Sequence, residues 1–281
     1  MAGPTLNDAA LARRLLVHEA RAQLSLGREL RDLGDGWLLY DPADPEPFWN
    51  RLVAPRWPEA PKGFDRRLDE VVTLFATLDR VAHVRPLPVG NEPPDLTDRL
   101  LRAGFDRVGG DRRMVLVDPV PCAAAAQAWQ DRPAARLAVE RHPDGSPGHG
   151  SDWAVEAARI LADAFSVDPL RRVALATDVL ACAARRGCSI VVLRDDGDAV
   201  AVARRATFGD GSYLSSIGTR PEWRGRGHGT LVTALAVADA LAVGSTFVHL
   251  AVELDNDRAR RFYEALGFAV VGDVVPDLVL R

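Results

Sequence analysis

Two stretches of this chain repeat one order of features: a helix end, a glycine, a phenylalanine and an apolar strand. Gly104 and Phe105 in the first stretch correspond to Gly267 and Phe268 in the second, at one constant offset along the sequence. Self-similarity at a fixed offset is the signature of a duplicated structural unit. The repeat therefore predicts that the 281 residues form two domains of related architecture and ordinary size.

The hydrophobic pattern predicts a mixed α/β fold in the second half of the chain. From residue 136 the predicted order is one strand, two helices, three strands, a helix, a strand, a helix and two final strands. We expect residues 1–120 to form one domain, residues 121–134 a linker and residues 135–281 the second domain.

In the first half, the pattern predicts three helices, several short strands and one long loop. A helix is expected over residues 8–33 with Asn7 as its N-cap, because apolar residues recur there at helical spacing. The stretch 41–63 is rich in proline and aspartate and predicts a loop. The second helix is expected over residues 67–81, which carry an apolar stripe.

Charge and composition exclude several kinds of partner. A net charge of −4 gives no overall attraction to nucleic acid or to an anionic membrane. No apolar run reaches the length of a membrane span, and the first residues lack the apolar core of a signal peptide. Cys122, Cys182 and Cys188 match no zinc-binding spacing. We therefore expect a cytoplasmic protein with no metal site and no nucleic-acid or membrane partner.

The most informative motif is the segment at residues 224–229, which reads Arg-Gly-Arg-Gly-His-Gly between a predicted strand and a predicted helix. Glycines let the backbone turn tightly and let an anion approach the amides. The first amides of a helix have no intrahelical partner, and the helix N-terminus carries partial positive charge. The segment therefore predicts an anion site of the kind that holds a pyrophosphate.

Two common nucleotide-binding turns and an RNA-binding turn match this segment less well. A dinucleotide-binding turn follows the first strand of a βαβ unit, whereas Gly225, Gly227 and Gly229 have a different spacing and follow several strands. A P-loop requires Gly-Lys-Ser/Thr, which the chain lacks. An RNA-binding turn is disfavoured by the negative net charge and by the absence of interleaved aromatic residues.

Two blocks of sequence in the second half agree with one known family. Arg224, Gly227 and Gly229 follow the pattern Gln/Arg-x-x-Gly-x-Gly/Ala at the start of a helix. The second block, residues 250–268, places an asparagine, then Phe-Tyr-Glu, then Gly-Phe after a strand. Together they resemble the GNAT superfamily of N-acetyltransferases, clearly over residues 189–281.

The resemblance implies an α/β fold with a mostly antiparallel central sheet flanked by helices. Because of the internal repeat, we expect tandem GNAT-like domains, the first being a degenerate copy. At the place of the glycine-rich turn, the first copy has residues 58–64, which contain two prolines and one glycine. Proline has no amide hydrogen, so this stretch cannot offer a row of free donors. We therefore expect one CoA per chain, bound at residues 224–230.

The resemblance also implies the residues that bind acetyl-CoA, the expected co-substrate. Amides of the turn would hold the pyrophosphate, and the backbone of the preceding strand would pair with the pantetheine arm. A free amide where two strands separate would polarise the thioester carbonyl. The cofactor-binding residues are then Ile217, Gly218, Thr219, Arg224, Gly225, Arg226, Gly227, His228, Gly229, Thr230 and Asn256.

Two residues are implied for catalysis. Tyr263 would be the general acid that protonates the departing thiolate. Glu253, at the end of a strand entering the site, is the first candidate for the general base. Glu222 in the turn is expected to be solvated and His249 to be packed within its strand. A chain of water molecules is the alternative to a side-chain base.

The leading functional hypothesis is an acetyl-CoA-dependent N-acetyltransferase that acts directly on a primary amine of a small molecule or peptide. Direct attack needs no nucleophilic cysteine, which agrees with three ordinary cysteines. The alternative is a non-catalytic acyl-CoA sensor or interaction module, which would keep the same turn. Either protein would be a monomer or a homodimer.

Overall fold

The chain folds into two units in a computed structural model that describes residues 5–130, 137–143 and 152–281. Unit 1 consists of Met1–Met114, Ala251–Arg261 and Ala269–Arg281, and unit 2 of Val115–Leu250 and Phe262–Phe268. The C-terminal strand of the chain thus belongs to unit 1. The boundaries expected at residues 120 and 134 stay a prediction, and residues 131–134 of the expected linker lie outside the described residues.

The helices and strands are as follows. The first part of the chain forms β1 (Thr5–Leu6), α1 (Ala9–Ala22), β2 (Glu29–Asp32), β3 (Trp37–Tyr40), β4 (Arg51–Val53), α2 (Pro61–Thr77), β5 (His83–Arg85), α3 (Leu96–Arg102) and β6 (Phe105–Leu116). The second part forms α4 (Val120–Gln130), β7 (Leu137–Pro143), α5 (Asp152–Phe165), α6 (Arg172–Ala183), β8 (Cys188–Asp195), β9 (Asp198–Phe208), β10 (Gly211–Thr219), α7 (His228–Ala242), β11 (Phe247–Glu253), α8 (Asp257–Ala265) and β12 (Phe268–Leu280). Short 3₁₀ helices lie at Gln23–Leu26, Pro47–Trp49, Pro169–Arg171 and Pro221–Trp223.

The sheet of unit 1 has the strand order β2-β3-β4-β5-β12-β6, with β1 alongside β12. The pairs β2/β3 and β3/β4 are antiparallel, β4/β5 is parallel, and β12 is antiparallel to β5. Helix α2 packs Phe64, Val71 and Phe75 into a core that includes Leu52 of β4 and Val84 of β5. This apolar stripe on an otherwise charged sequence explains why α2 forms and which face it buries.

Charged side chains are buried beside α1 in unit 1. Because side chains alternate along a strand, Arg51 and Arg85 lie on the face opposite their neighbours Leu52 and Val84. We call the following residues the buried charge cluster, in which only Asp277 is partly exposed: Glu19, Arg51, His83, Arg85, Asp111, Arg113 and Asp277. Its three guanidinium groups balance three carboxylates, and burial lowers the pKa of His83 despite its contact with Asp277.

The helix expected over residues 8–33 is shorter in the structure. Helix α1 ends at Ala22, where a 3₁₀ turn follows and Gly27 adopts a left-handed φ of 86°. Strand β2, which occupies the end of the expected helix, pairs with β3 instead. The prediction was wrong there because the four residues of β2 are too few to distinguish a helical from an extended pattern. Pairing with β3 then favours the strand.

Two further local predictions need correction. The N-cap of α1 is Asp8 and not Asn7, since the Asp8 carboxylate accepts a hydrogen bond from the Leu11 amide at 3.0 Å. The loop expected over residues 41–63 contains β4 and the start of α2. That helix begins at Pro61, in the first-turn position where proline is tolerated because no amide is needed.

The sheet of unit 2 has the order β11-β10-β9-β8-β7. The pairs β7/β8, β8/β9 and β9/β10 are antiparallel and β10/β11 is parallel. The succession antiparallel, antiparallel, parallel over β8 to β11 is the same as that over β2 to β5. The repeated strand directions confirm the tandem architecture that the sequence repeat predicted.

In each of these two successions of four strands, a helix follows the third strand and precedes the fourth. In unit 2 that helix is α7, which follows β10 through the glycine-rich segment, and in unit 1 it is α2, which follows β4. The architecture therefore puts the glycine-rich segment after a sheet strand and at the start of a long helix, as expected.

No helix among the described residues is both long enough and apolar enough to cross a membrane.

Candidate functional site

The glycine-rich segment forms a tight turn that opens α7. Gly225 and Gly227 adopt left-handed φ values of 78° and 89°, which side chains rarely allow. Gly227 is the N-cap of α7, and the first helical hydrogen bond runs from the Leu231 amide to the Gly227 carbonyl at 3.0 Å. The amides of residues 228–230 are therefore the first-turn donors that have no partner within the helix. This geometry places a helix N-terminus where the sequence predicted it, and the anion site itself stays a prediction.

Two arginines are held against this turn. The Arg224 guanidinium donates to the Ala164 carbonyl at 3.0 Å and to the Thr219 carbonyl at 3.3 Å, which ties the turn to the end of α5 and to β10. Arg226 stacks over the Trp223 ring, 4.6 Å from its centroid, and is exposed. Both side chains add positive charge where an anion would bind.

The His228 side chain points into unit 2, although its amide belongs to the turn. Its ring is buried, with Nε2 at 2.9 Å from Asp195 Oδ2 and Nδ1 at 3.2 Å from the Trp223 carbonyl. Trp129 of α4 approaches the same place, because a Cβ on Gly227 would lie 3.1 Å from its ring. Only the backbone of His228 is thus free to contact a ligand.

Sequence reasoning did not single out Asp195 and Trp129. Asp195 reads as part of a surface turn at the end of β8, because nothing in its neighbours indicates a partner 33 residues along the chain. Trp129 lies in an alanine-rich stretch that reads as a connector. Its signal is that it is the one large aromatic residue of α4.

The strand that leads to the turn is bulged. Between Ser215 and Gly218, β10 advances by three residues while its partner β9 advances by two, and Ser216 has a φ of 50°. Such a bulge takes an amide out of the ladder. The parallel ladder to β11 covers Gly211 to Tyr213 only, so the rest of β10 runs on beyond it. The expected pantetheine-binding residues 217–219 lie in this part of the strand.

Helix α8 brings a buried tyrosine into unit 2. Tyr263 is 8 % exposed and packs edge-on against Phe262 and Phe268, with ring centroids 4.9 and 5.9 Å away. Burial raises the pKa of Tyr263, and the neighbouring Tyr213 raises it further. The phenol therefore keeps its proton at neutral pH, as a general acid must before it acts.

Glu253 and Asn256 belong to unit 1. Glu253 ends β11 and is exposed. The Asn256 side chain accepts a hydrogen bond from the Ala259 amide at 3.0 Å, so its oxygen caps α8 while its amino group can still donate. The roles expected for both residues stay predictions. His249 is fully buried beside the rings of Tyr213 and Phe247, which confirms that it is a packed residue.

The cysteines and acidic residues indicate no other chemistry. All three cysteines are buried, and burial raises the pKa of Cys122 to about 11, so this thiol is a poor nucleophile. Within the described ranges, no group of three or more His, Cys, Asp or Glu side chains is arranged to hold a metal ion. Among the described residues of unit 2, the turn, the bulged strand and Tyr263 are the features that bear on the predicted chemistry.

Comparison with known proteins agrees with this geometry. The model of the acetyltransferase (GNAT) family matches residues 155–268. A mycothiol acetyltransferase from Nocardiopsis dassonvillei is 36% identical over 84 residues, which are 27% of this chain and 26% of that protein. The match thus spans about a quarter of the relative's length.

Two solved structures share the architecture of nearly the whole chain. A GCN5-related N-acetyltransferase from Kribbella flavida has a TM-score of 0.65 at 22% identity, covering 94% of both chains. A tandem GNAT protein from the clavulanic acid biosynthesis pathway has a TM-score of 0.60 at 16% identity, covering 99% of this chain and 96% of the other. At these identities the likeness shows the fold, and it confirms the expected tandem arrangement.

The family match includes the bulged strand, the turn and Tyr263, and the fold match extends over both copies. Residues 155–268 of this chain are therefore similar to the GNAT family of acetyltransferases, whose model they match.

Proposed function

We propose that this chain transfers the acetyl group of acetyl-CoA directly to a primary amine of a small molecule or peptide. The observation that carries the proposal is the continuity of β10 and the turn. A bulged strand with an amide out of its ladder is followed, after the 3₁₀ helix at Pro221–Trp223, by a helix start whose first amides have no partner within the helix. This arrangement suits a ligand that has an extended amide-bearing arm next to a pyrophosphate.

The turn has room for such a ligand. A Cβ on Gly225 would meet no atom within 4 Å, and the turn is exposed from Arg224 to Arg226. The amides of residues 225–230 would hold the pyrophosphate, and the backbone of Ile217, Gly218 and Thr219 would pair with the pantetheine arm. Acetyl-CoA would supply an activated acetyl group and a thiolate leaving group.

Side chains of the protein would donate a proton to the leaving sulfur and accept one from the amine. Tyr263 would donate its phenolic proton to the sulfur as the carbon–sulfur bond breaks, and burial keeps the phenol protonated until that step. Asn256 would donate a hydrogen bond to the arm from its amino group. Glu253 remains the first candidate for accepting the ammonium proton, with a water chain as the alternative.

The acceptor is proposed from the relatives. The relative named mycothiol acetyltransferase favours a small molecule over a protein surface as the acceptor.

The first copy would bind no CoA, because β4 and β5 stay paired from Leu52/Val84 to Val53/Arg85 and the stretch at the start of α2 has prolines in place of the turn. One CoA per chain is then expected.

The proposed activity is tested by measuring release of the free CoA thiol from acetyl-CoA with a panel of amines. Amino sugars, polyamines, amino acids and short peptides cover the acceptor classes, and calorimetry measures CoA binding in parallel. Amine-dependent thiol release with at least one class supports the enzyme. CoA binding without release from any class favours a sensor, and no CoA binding contradicts both functions.

Replacing Tyr263 with phenylalanine is expected to lower kcat by roughly 100-fold, the lower end of what a general acid contributes. The ring contacts with Phe262 and Phe268 remain, so folding and the KM for acetyl-CoA should change little. The matched control is Tyr40→Phe, which removes a hydroxyl from β3 in unit 1. Steady-state kinetics with the best amine checks the prediction, and a Tyr263→Phe enzyme within threefold of wild type would contradict the acid role.

A further inference from the structure

The first residue of α7 is anchored from several elements of unit 2. The His228 side chain is 1% exposed, and its Nε2 lies 2.9 Å from Asp195 at the end of β8. Its Nδ1 lies 3.2 Å from the carbonyl of Trp223, in the 3₁₀ helix that precedes the turn. The rings of Trp129 and Trp223 lie 5.9 and 5.7 Å from the imidazole. The side chain thus links α4, β8 and both sides of the turn.

The two hydrogen-bond partners of His228 can only accept. A carboxylate and a backbone carbonyl have no proton to give, so a ring nitrogen that bonds to either of them is the donor. A hydrogen bond to a carboxylate is shorter and stronger than one to a neutral carbonyl, which makes the Asp195 contact the stronger anchor.

We propose that His228 and Asp195 are a positioning pair for pyrophosphate binding. The bond to Trp223 and the bond to Asp195 fix the backbone on both sides of Gly225 and Gly227, two residues that by themselves favour flexibility. With the turn fixed, the amides of residues 228–230 converge before the ligand arrives, which lowers the entropic cost of binding. This inference rests on the proposed CoA-binding function.

If Asp195 acts through His228, its effect on CoA affinity is opposite to the effect expected from its negative charge alone. A carboxylate near an anion site repels the anion, so removing its charge should strengthen CoA binding. If Asp195 acts through His228, removing its charge weakens binding because the turn loses its anchor. Asp196 is the matched control, since it is the next residue, is exposed, and has a φ of 53° that asparagine tolerates well.

The test measures the Kd of CoA by calorimetry for the full-length wild type and for His228→Ala, His228→Gln, Asp195→Asn and Asp196→Asn. We expect binding about tenfold weaker in His228→Ala and Asp195→Asn, which corresponds to about 1.4 kcal/mol. His228→Gln keeps one donor for Asp195 and should recover part of the affinity. Asp196→Asn should bind CoA as tightly as wild type or more tightly. Melting temperatures without ligand show whether each variant is folded.

The outcomes separate this inference from the proposed function. If the wild type binds no CoA, the proposed function fails. If the wild type binds CoA and the Asp195 variant binds it equally or more tightly, the positioning pair is wrong and the proposed function stands. A folded His228→Gln protein no better than His228→Ala would also overturn the pairing, since the retained donor would then have no effect.

Discussion

Replacing Gly267 with alanine is expected to lower the free energy of unfolding by about 4 kcal/mol, whereas the same change at Gly104 should cost about 1 kcal/mol. The two glycines are equivalent in the internal repeat, and both have left-handed φ values, 90° and 93°. Each alanine therefore suffers the same backbone strain of roughly 1–2 kcal/mol. The remaining difference comes from what surrounds the added methyl group.

The surroundings of the two glycines differ sharply. A Cβ at Gly267 would lie 1.9 Å from the carbonyl oxygen of Asp118, a contact that only a backbone shift can relieve. That backbone is held in place, because the amides of Val117 and Asp118 both donate to the Gly267 carbonyl, at 2.9 and 3.1 Å. At Gly104 the nearest atom would be a methyl group of Leu280 at 3.7 Å, an ordinary contact.

Urea unfolding of the two variants, followed by circular dichroism, measures the difference. Because the chain has two units, fluorescence should be recorded as well, so that separate transitions are recognised. Equal losses at the two positions would show that the strain at φ alone decides the cost. A Gly267→Ala protein as stable as wild type would contradict the close approach to Asp118.

The glycine pair also shows what the sequence can and cannot reveal. The alignment of Gly104 with Gly267 is visible in the sequence, because a helix end followed by Gly-Phe is a local pattern. The packing of Asp118 against Gly267 is not visible, since it joins residues far apart in the chain. The same limit explains why the hydrophobic pattern predicts helix where β2 forms, since pairing with β3 outweighs a short helical period.

Some residues of the candidate site can likewise be predicted from the sequence, and others cannot. The turn at residues 224–229 is predictable, because its glycines and the helix that follows are adjacent in sequence. Tyr263 and Asn256 follow from the family resemblance, whereas the helical pattern alone would leave Tyr263 as an ordinary half-buried aromatic residue. Asp195 and Trp129 could not be predicted, because their importance lies in reaching His228 and Gly227 from other elements.

The buried charge cluster of unit 1 was not predicted either. Glu19 belongs to an amphipathic helix, and Arg51 follows a proline-rich stretch, so each reads as a solvated residue. In the structure the Arg51 guanidinium lies 2.6 Å from the Glu19 carboxylate, and both are buried. Charges are buried in this way only when they are paired, which a one-dimensional pattern does not indicate.

Replacing Glu19 with glutamine is expected to lower the free energy of unfolding at pH 7 by about 3 kcal/mol. Burial alone would raise the pKa of Glu19, but the guanidinium groups of Arg51, Arg113 and Arg85 outweigh it and lower the pKa from 4.5 to about 2. A shift of this size corresponds to roughly 3 kcal/mol of stabilisation by the ionised form. Glutamine keeps the shape and loses the charge, so it leaves the arginines without this partner.

The sign of the pH dependence follows from the lowered pKa. The folded state binds the Glu19 proton less readily than the unfolded state, so this stabilisation is fully present above pH 4.5. It is lost progressively as the pH falls towards 2, and the pKa of Asp277 is lowered in the same direction by Arg85 despite burial. The stability difference between wild type and Glu19→Gln should therefore be largest near neutral pH and should shrink between pH 4.5 and pH 2.

Urea unfolding between pH 3 and pH 7 measures this difference, with Glu29→Gln as the matched control. Glu29 forms an ion pair with Arg31 at 2.8 Å, but its side chain is 50% exposed, so its removal should change stability by less than about 1 kcal/mol. If Glu19→Gln matched the control at pH 7, the cluster would contribute no more than a surface ion pair. If the difference instead grew as the pH fell, Glu19 would be protonated in the folded protein, and the arginines around it would need another counter-charge.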